Sequence, residues 1–130
     1  MNWPPMQRNS KSAEFFDAAA REELVIKKCA HCGQALPPEA VVCTTCGRTE
    51  LSWSPAAGTA TLVTWTVVHR APNRAFADLV PYTVGVVELT EGPWLYGRVV
   101  GAPSAGMALR AEFIHAQGSE SYPIFVGQEV

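Results

Sequence analysis

Charge is scarce in this chain. Of 130 residues only 17% are Asp, Glu, Lys or Arg, and the formal net charge is −2 with a pI near 5.9. So weak and slightly acidic a balance gives no general attraction toward nucleic acid or an anionic membrane. No apolar run approaches the roughly 18 residues that a membrane-spanning helix needs. The segment Met1 to Gln7 is polar and contains prolines, so the apolar core of a secretory signal is not expected, and the expected location is the cytoplasm, where thiols stay reduced. Ten prolines and ten glycines disfavour long helices and favour many turns. Catalytic patterning is missing too. There are two aspartates, Asp17 and Asp78, no nucleophile beside a base in the sequence, and no glycine-rich phosphate loop after a strand. The chain is therefore not expected to be an enzyme on its own.

What the chain does contain is 48% apolar residues and four cysteines. The apolar fraction suits one ordinary domain, or a small metal-stapled module beside a compact second one. The cysteines fall in two tight pairs, Cys29/Cys32 and Cys43/Cys46, each followed by a glycine, Gly33 and Gly47. A Cys-x-x-Cys-Gly turn lets two sulfurs converge on one metal while the glycine takes the backbone bend, and a tetrahedral Zn²⁺ accepts four thiolates at about 2.3 Å. Two disulfides or a thioredoxin-like redox pair are the rivals. The reduced compartment argues against the first, and the turn-rich setting with Pro37-Pro38 between the pairs argues against the second. Iron in a rubredoxin site is a further rival, but the stretch between the pairs carries no aromatic residue. Four thiolates leave no open position for water or substrate, so a zinc ion here is expected to be structural. His31, inside the first knuckle, is a spare ligand candidate, and Lys27 and Lys28 stand where they would offset the site's negative charge.

The rest of the chain divides by composition. Residues 1–9 carry no periodic pattern and are expected to form a loose arm. From Ser12 to Glu22 helix formers dominate, with serine available as a cap and acid early, which predicts one short helix. Its adjacent aromatics, Phe15 and Phe16, pack either on this chain or on a partner. Leu24–Lys28 and Leu51–Trp53 read as the strands of a small ribbon, and Pro55 to Gly58 marks a boundary. Five segments rich in Val, Thr, Trp and Tyr follow: Thr59–His69, Tyr82–Leu89, Trp94–Val100, Ala108–Ala116 and Tyr122–Val126. Five strands in so short a span suggest a small barrel of the OB type. The loop Gly101–Gly106 is too short for the helix that many such barrels insert, so something else, such as the N-terminal helix, is expected to cover one barrel end. The expectation is a mainly β protein: N-terminal arm and helix over 1–23, a rubredoxin-like zinc ribbon over 24–56, and a five-stranded OB-fold barrel over 57–130.

These segments together resemble the zinc-ribbon and OB-fold proteins of domain-of-unknown-function family thirty-five, associated with acyl-CoA metabolism. The resemblance rests on Phe15-Phe16, both knuckles, the segment Gly58 to Arg70, the loop Pro72 to Pro81 with Ala75-Phe76-Ala77-Asp78, and Tyr82 to Glu88 followed by Gly92-Pro93. It implies a non-catalytic accessory subunit that joins a thiolase-like enzyme (acyltransferase, thiolase or aldolase) or a hot-dog-fold hydratase in a hetero-oligomer, and that helps hold an acyl-CoA.

The residues themselves allow two readings of the loop after the first barrel strand. His69, Arg70, Arg74, Phe76 and Leu79 there, with Phe15 and Phe16, are candidate contacts to acyl-CoA or to the partner. Guanidinium groups beside an apolar rim suit the phosphates and thioester arm of CoA. Alternatively Phe76 and Leu79 fold back over the barrel mouth, the arginines are solvated, and His69 is a hydrogen-bonded strand-end residue; Trp65 is expected in the core. Single-stranded nucleic-acid binding, with Trp65, Trp94 and Tyr96 as stacking platforms, is the alternative function, and three lysines and seven arginines spread along the chain make it the weaker one.

Overall fold

Alanine-rich sequence and a strained but well-bonded terminus define the first element of the computed structural model, which describes residues 3–127. Helix α1 spans Ala13–Ala20, with Glu14 in its first turn and Ala18 and Ala19 buried. Ser12 does not cap it through its hydroxyl. That hydroxyl instead accepts the Asn9 amide at 2.9 Å, while Asn9 Oδ1 accepts the amides of Lys11 and Ser12, a turn that feeds the chain into the helix. The helix is shorter than the sequence predicts because Glu22 adopts φ 61°. Its amide donates to Ala19 O and that of Glu23 to Ala18 O, both at 2.9 Å, which closes the last turn as a Schellman motif.

Three short strands form an antiparallel sheet in the order β2-β1-β3, with β1 at Val25–Cys29, β2 at Ala35–Leu36 and β3 at Leu51–Pro55. The register runs from Val25 opposite Pro55 to Cys29 opposite Leu51. Strand β2 is not evident in the sequence. It pairs only through Lys27 with Leu36 and Lys28 with Ala35, and Pro37-Pro38, lacking amide donors, follow it at once.

Strands β4 (Thr59–Val68), β5 (Tyr82–Leu89), β6 (Trp94–Val100), β7 (Ala108–Ile114) and β8 (Tyr122–Gly127) close a barrel in the order β4-β5-β6-β8-β7. All pairs are antiparallel except β6 with β8. Alternation sends Leu62, Val87, Leu89, Leu95, Val99, Leu109 and Phe125 into the core. A register shift between Leu62 and Thr64 makes Val63 an extra residue and bends β4 toward closure. Gly85 and Gly97 face each other across β5 and β6. A side-chain carbon at Gly97 would fall 2.9 Å from the Phe125 ring, so the glycine makes room for the largest fully buried side chain.

The two sheets share packing. Leu24 and Ile26, at the start of the ribbon, are buried in the barrel core, and Phe15 of α1 packs against it. Cys29, at the other end of β1, belongs to a second and much smaller core with Leu36 and Cys43. No helix lies between β6 and β7 among the described residues, as the short loop there predicts. Residues 1 and 2 of the expected loose arm lie outside the described residues; the rest of the arm is not loose, because Trp3 packs on the barrel surface.

Candidate metal centre and aromatic cleft

Both knuckles are built the same way. The Cys29 amide donates to Gln34 O and the Gly33 amide to Cys29 O; in the second knuckle the Cys43 amide donates to Arg48 O and the Gly47 amide to Cys43 O. Gly33 and Gly47 take φ 80° and 78°, the left-handed conformation that glycine adopts without strain. The first cysteine of each pair is buried and the second exposed. Cys29 Sγ lies 3.6 Å from Cys46 Sγ and Cys32 Sγ lies 3.5 Å from Cys43 Sγ, contacts that interchange when the knuckles are exchanged.

All four sulfurs lie within 4.8 Å of one another. A tetrahedron with arms of about 2.3 Å has edges of about 3.8 Å, so the donor set fits a single thiolate-ligated metal ion. The sulfurs are far beyond the disulfide bond length of about 2.05 Å, and all four cysteines are free. Backbone amides favour the thiolate form that a metal requires. The Cys32 amide holds Cys29 below the usual thiol value, and the Cys46 amide pulls Cys43 down to about 6. At the second cysteine of each pair the backbone amide is outweighed by burial and the neighbouring sulfurs, which push Cys32 up to about 12 and Cys46 upward. His31 is exposed and outside the cluster. Lys27 Nζ donates to Ala40 O at 2.7 Å and sits 5.0 Å over the Trp53 ring, tying the inter-knuckle loop to the sheet.

A cleft of about 730 Å³ lies against the face of β5 and β6. Cross-strand pairs Val84/Arg98 and Val86/Tyr96 form part of its lining, and Trp3, Met6, Phe15 and Phe16 contribute from the N-terminal segment. The Trp3 ring meets Tyr82 at 4.9 Å and Phe76 at 5.8 Å, both edge-on, while the Arg98 guanidinium lies 4.4 Å over it. Polar ties hold this arm down. The Met6 amide donates to Ser119 Oγ, the Glu120 amide donates to Met6 O, and Arg8 forks onto both carboxylate oxygens of Glu120 at 2.8 Å and reaches Asp17 at 2.6 Å. A smaller groove of about 430 Å³ between Trp53 and Val41 of the ribbon and Tyr96 and Pro123 of the barrel shares Phe15 with the cleft.

The structure gathers some of the candidate contacts and separates others. Phe15, Phe16 and Phe76 line the cleft together, the first two edge-on at 5.7 Å. Phe76 belongs to a short 3-10 helix, Arg74–Phe76, capped by Asn73 Oδ1 accepting the Ala75 amide. Leu79 is half-buried, and its amide donates to Phe76 O. His69, Arg70 and Arg74 are exposed and outside the cleft lining. Trp65 packs against the core as expected, although half-buried, and also lines the cleft. Sequence reasoning missed Trp3, Tyr82 and Arg98. The one signal for Trp3 was a tryptophan in an otherwise unpatterned arm, and nothing in the order of residues joins it to β6.

Comparison with known proteins adds to this geometry. Residues 16–52 match the family model described as ChsH2, rubredoxin-like zinc ribbon domain, and residues 53–113 match that described as ChsH2, C-terminal OB-fold domain. Among curated relatives, a probable enoyl-CoA hydratase alpha subunit of Thermomonospora curvata is 36% identical over 121 residues, covering 90% of this chain and 37% of that protein. A DUF35 domain-containing scaffold protein of Methanocaldococcus jannaschii is 33% identical over 78 residues, covering 59% of this chain and 55% of the relative. The chain thus spans roughly a third to a half of the length of these relatives. A solved chain of an Ltp2-ChsH2(DUF35) aldolase superposes with a TM-score of 0.79 at 33% identity, over 92% of this chain and 96% of that one. A DUF35-family protein of unknown function from Sulfolobus solfataricus shares the fold at 13% identity, with a TM-score of 0.64.

Proposed function

The chain belongs to the DUF35 family of zinc-ribbon and OB-fold proteins of the ChsH2 type, and from that premise we propose that it is an accessory subunit of an acyl-CoA-processing enzyme. Its partner is a thiolase-like subunit or a hot-dog-fold hydratase, and the catalytic groups reside there. The observation that carries this reading is the near end-to-end likeness to the DUF35 chain of an aldolase. The relative named as a hydratase subunit and the one named as a scaffold point the same way.

In this reading the four cysteines hold one Zn²⁺, which supplies no chemistry beyond cross-linking the two knuckles. Cys29, Cys32, Cys43 and Cys46 are its ligands. The ribbon and α1 then serve as a docking surface, and exposed Val41 and Val42, between the knuckles, are apolar groups that a partner would cover. The exposed Arg70 and Arg74 on the loop before β5 suit the phosphates of a CoA bound between the two subunits. Single-stranded nucleic acid is the poorer fit: Tyr96 and Trp94 are exposed, but among the described residues Arg98 is the only charged one lining the adjoining cleft.

Co-expression with the thiolase-like or hydratase products of neighbouring genes tests the proposal. The expected result is a hetero-oligomer whose activity toward acyl-CoA falls when this chain is omitted. A chain that stays apart from each of them, with their activity unchanged, overturns it.

A further inference from the structure

The large cleft poses a physical problem of its own. Arg98 is half-buried and is the only charged residue lining it among the described residues. It makes no ion pair with a carboxylate among the described residues, and it rests against the Trp3 ring. A guanidinium partly removed from water without a counter-ion is an unmet electrostatic demand. The walls around it are apolar and aromatic: Trp3, Phe16, Phe76, Val84, Val86 and Ile124. Tyr82, Tyr96 and Tyr122 add phenol groups, which donate hydrogen bonds to anions. Burial pushes the Tyr122 phenol up while the charge of Arg98 pulls it back, and both residues line the cleft.

The size is that of a small-molecule site, since about 730 Å³ falls within the range of about 300–1,000 Å³ typical of ligand pockets. We propose that this cleft binds an amphipathic anion, an apolar body ending in a carboxylate or phosphate, with the anionic end on Arg98 and the apolar body between Trp3 and the Val84/Val86 face of β5. One cation answers one anionic group, and apolar walls answer one chain or flat ring system. The N-terminal arm forms one wall, so the ligand and the arm hold each other in place. The described lining of the cleft comes from residues of this chain.

Titration calorimetry of the whole chain with octanoate, octyl phosphate and octanol tests the site. The wild type is expected to bind the two anions about tenfold more tightly than the neutral alcohol, as a charge-assisted contact requires. The ratio of octanoate to octyl phosphate then assigns the head group. Arg98→Met is expected to bind all three alike, at the affinity of octanol. Val84→Glu, which places a carboxylate directly across from Arg98, is expected to erase the same preference and serves if Arg98→Met does not fold. A wild type that binds none of the three, or binds octanol as tightly as octanoate, overturns the proposal, and so does a variant of either kind that keeps the preference. None of these outcomes bears on partner docking, which is read by complex formation.

Discussion

Glu22, at the left-handed position that ends α1, reaches across to His115 beyond β7, its Oε2 lying 3.0 Å from the ring Nε2. The other ring nitrogen of His115 is 2.7 Å from Ser121 Oγ. Glycine would take φ 61° without strain, so the glutamate there is held at a cost in backbone energy. Glu22→Gly relieves about 1 kcal/mol of that strain and loses an exposed contact worth less. Urea denaturation is expected to show a small net gain in stability. A net loss would mean that the carboxylate's tie to His115 outweighs the backbone strain.

Gly97→Ala acts in the opposite direction. The new methyl group would lie 2.9 Å from two carbons of the Phe125 ring, which is 1% exposed. Overpacking of this kind costs about 1–3 kcal/mol. Gly85→Ala should cost at least as much, since one of its clashes is with the Thr64 carbonyl oxygen, which belongs to the β4 backbone. Thermal unfolding measures both variants, and wild-type stability in either would show that the barrel core is looser than this packing implies.

How much of this was legible beforehand depends on the range of the interaction. The knuckles were readable because Cys29/Cys32 and Cys43/Cys46 form their turns locally, and the five barrel strands because alternation and β-branched residues are local signals. Strand β2 was not, since two residues before Pro37 carry no period. The cleft was the least legible part. Trp3 and Arg98 meet only because closure of the barrel brings the far end of β6 beneath an arm whose own residues show no pattern. Arg70 and Arg74 drew attention as a nearby pair in sequence, yet both are exposed and outside the cleft, while the lone arginine on β6 lines it.

Acid should release the arm. The Arg8 guanidinium holds Glu120 and Asp17 below the usual carboxylate range, and its own value is raised in turn. Carboxylates with depressed values favour the tied arm while ionised. The tie is therefore complete above the ordinary carboxylate values near about 4 and is lost as the pH falls through the depressed ones. The indole signal of Trp3 in an NMR titration is expected to hold steady from neutral pH down to about 5 and to move below about 4. Arg8→Met should give the released signal at every pH. Movement centred near pH 6 would point instead to a histidine.

Metal removal should divide the molecule within a single strand. The ribbon core consists of Cys29, Leu36 and Cys43 with Ala40 and Leu51 beside it, too little apolar surface to hold three short strands unaided. Without an ion the four sulfurs, none farther than 4.8 Å from another, have no charge to hold them together. Strand β1, however, is anchored at its other end, where Leu24 and Ile26 lie in the barrel core. A chelator, or Cys43→Ser, is therefore expected to abolish amide-exchange protection from Cys29 through Leu51 while β4 to β8 keep theirs. Elemental analysis should find one zinc per chain before treatment and none after it, in a colourless protein; a red protein would assign iron. If protection in the barrel collapses together with that in the ribbon, β1 transmits the loss inward, and the two sheets form one cooperative unit that the metal holds folded.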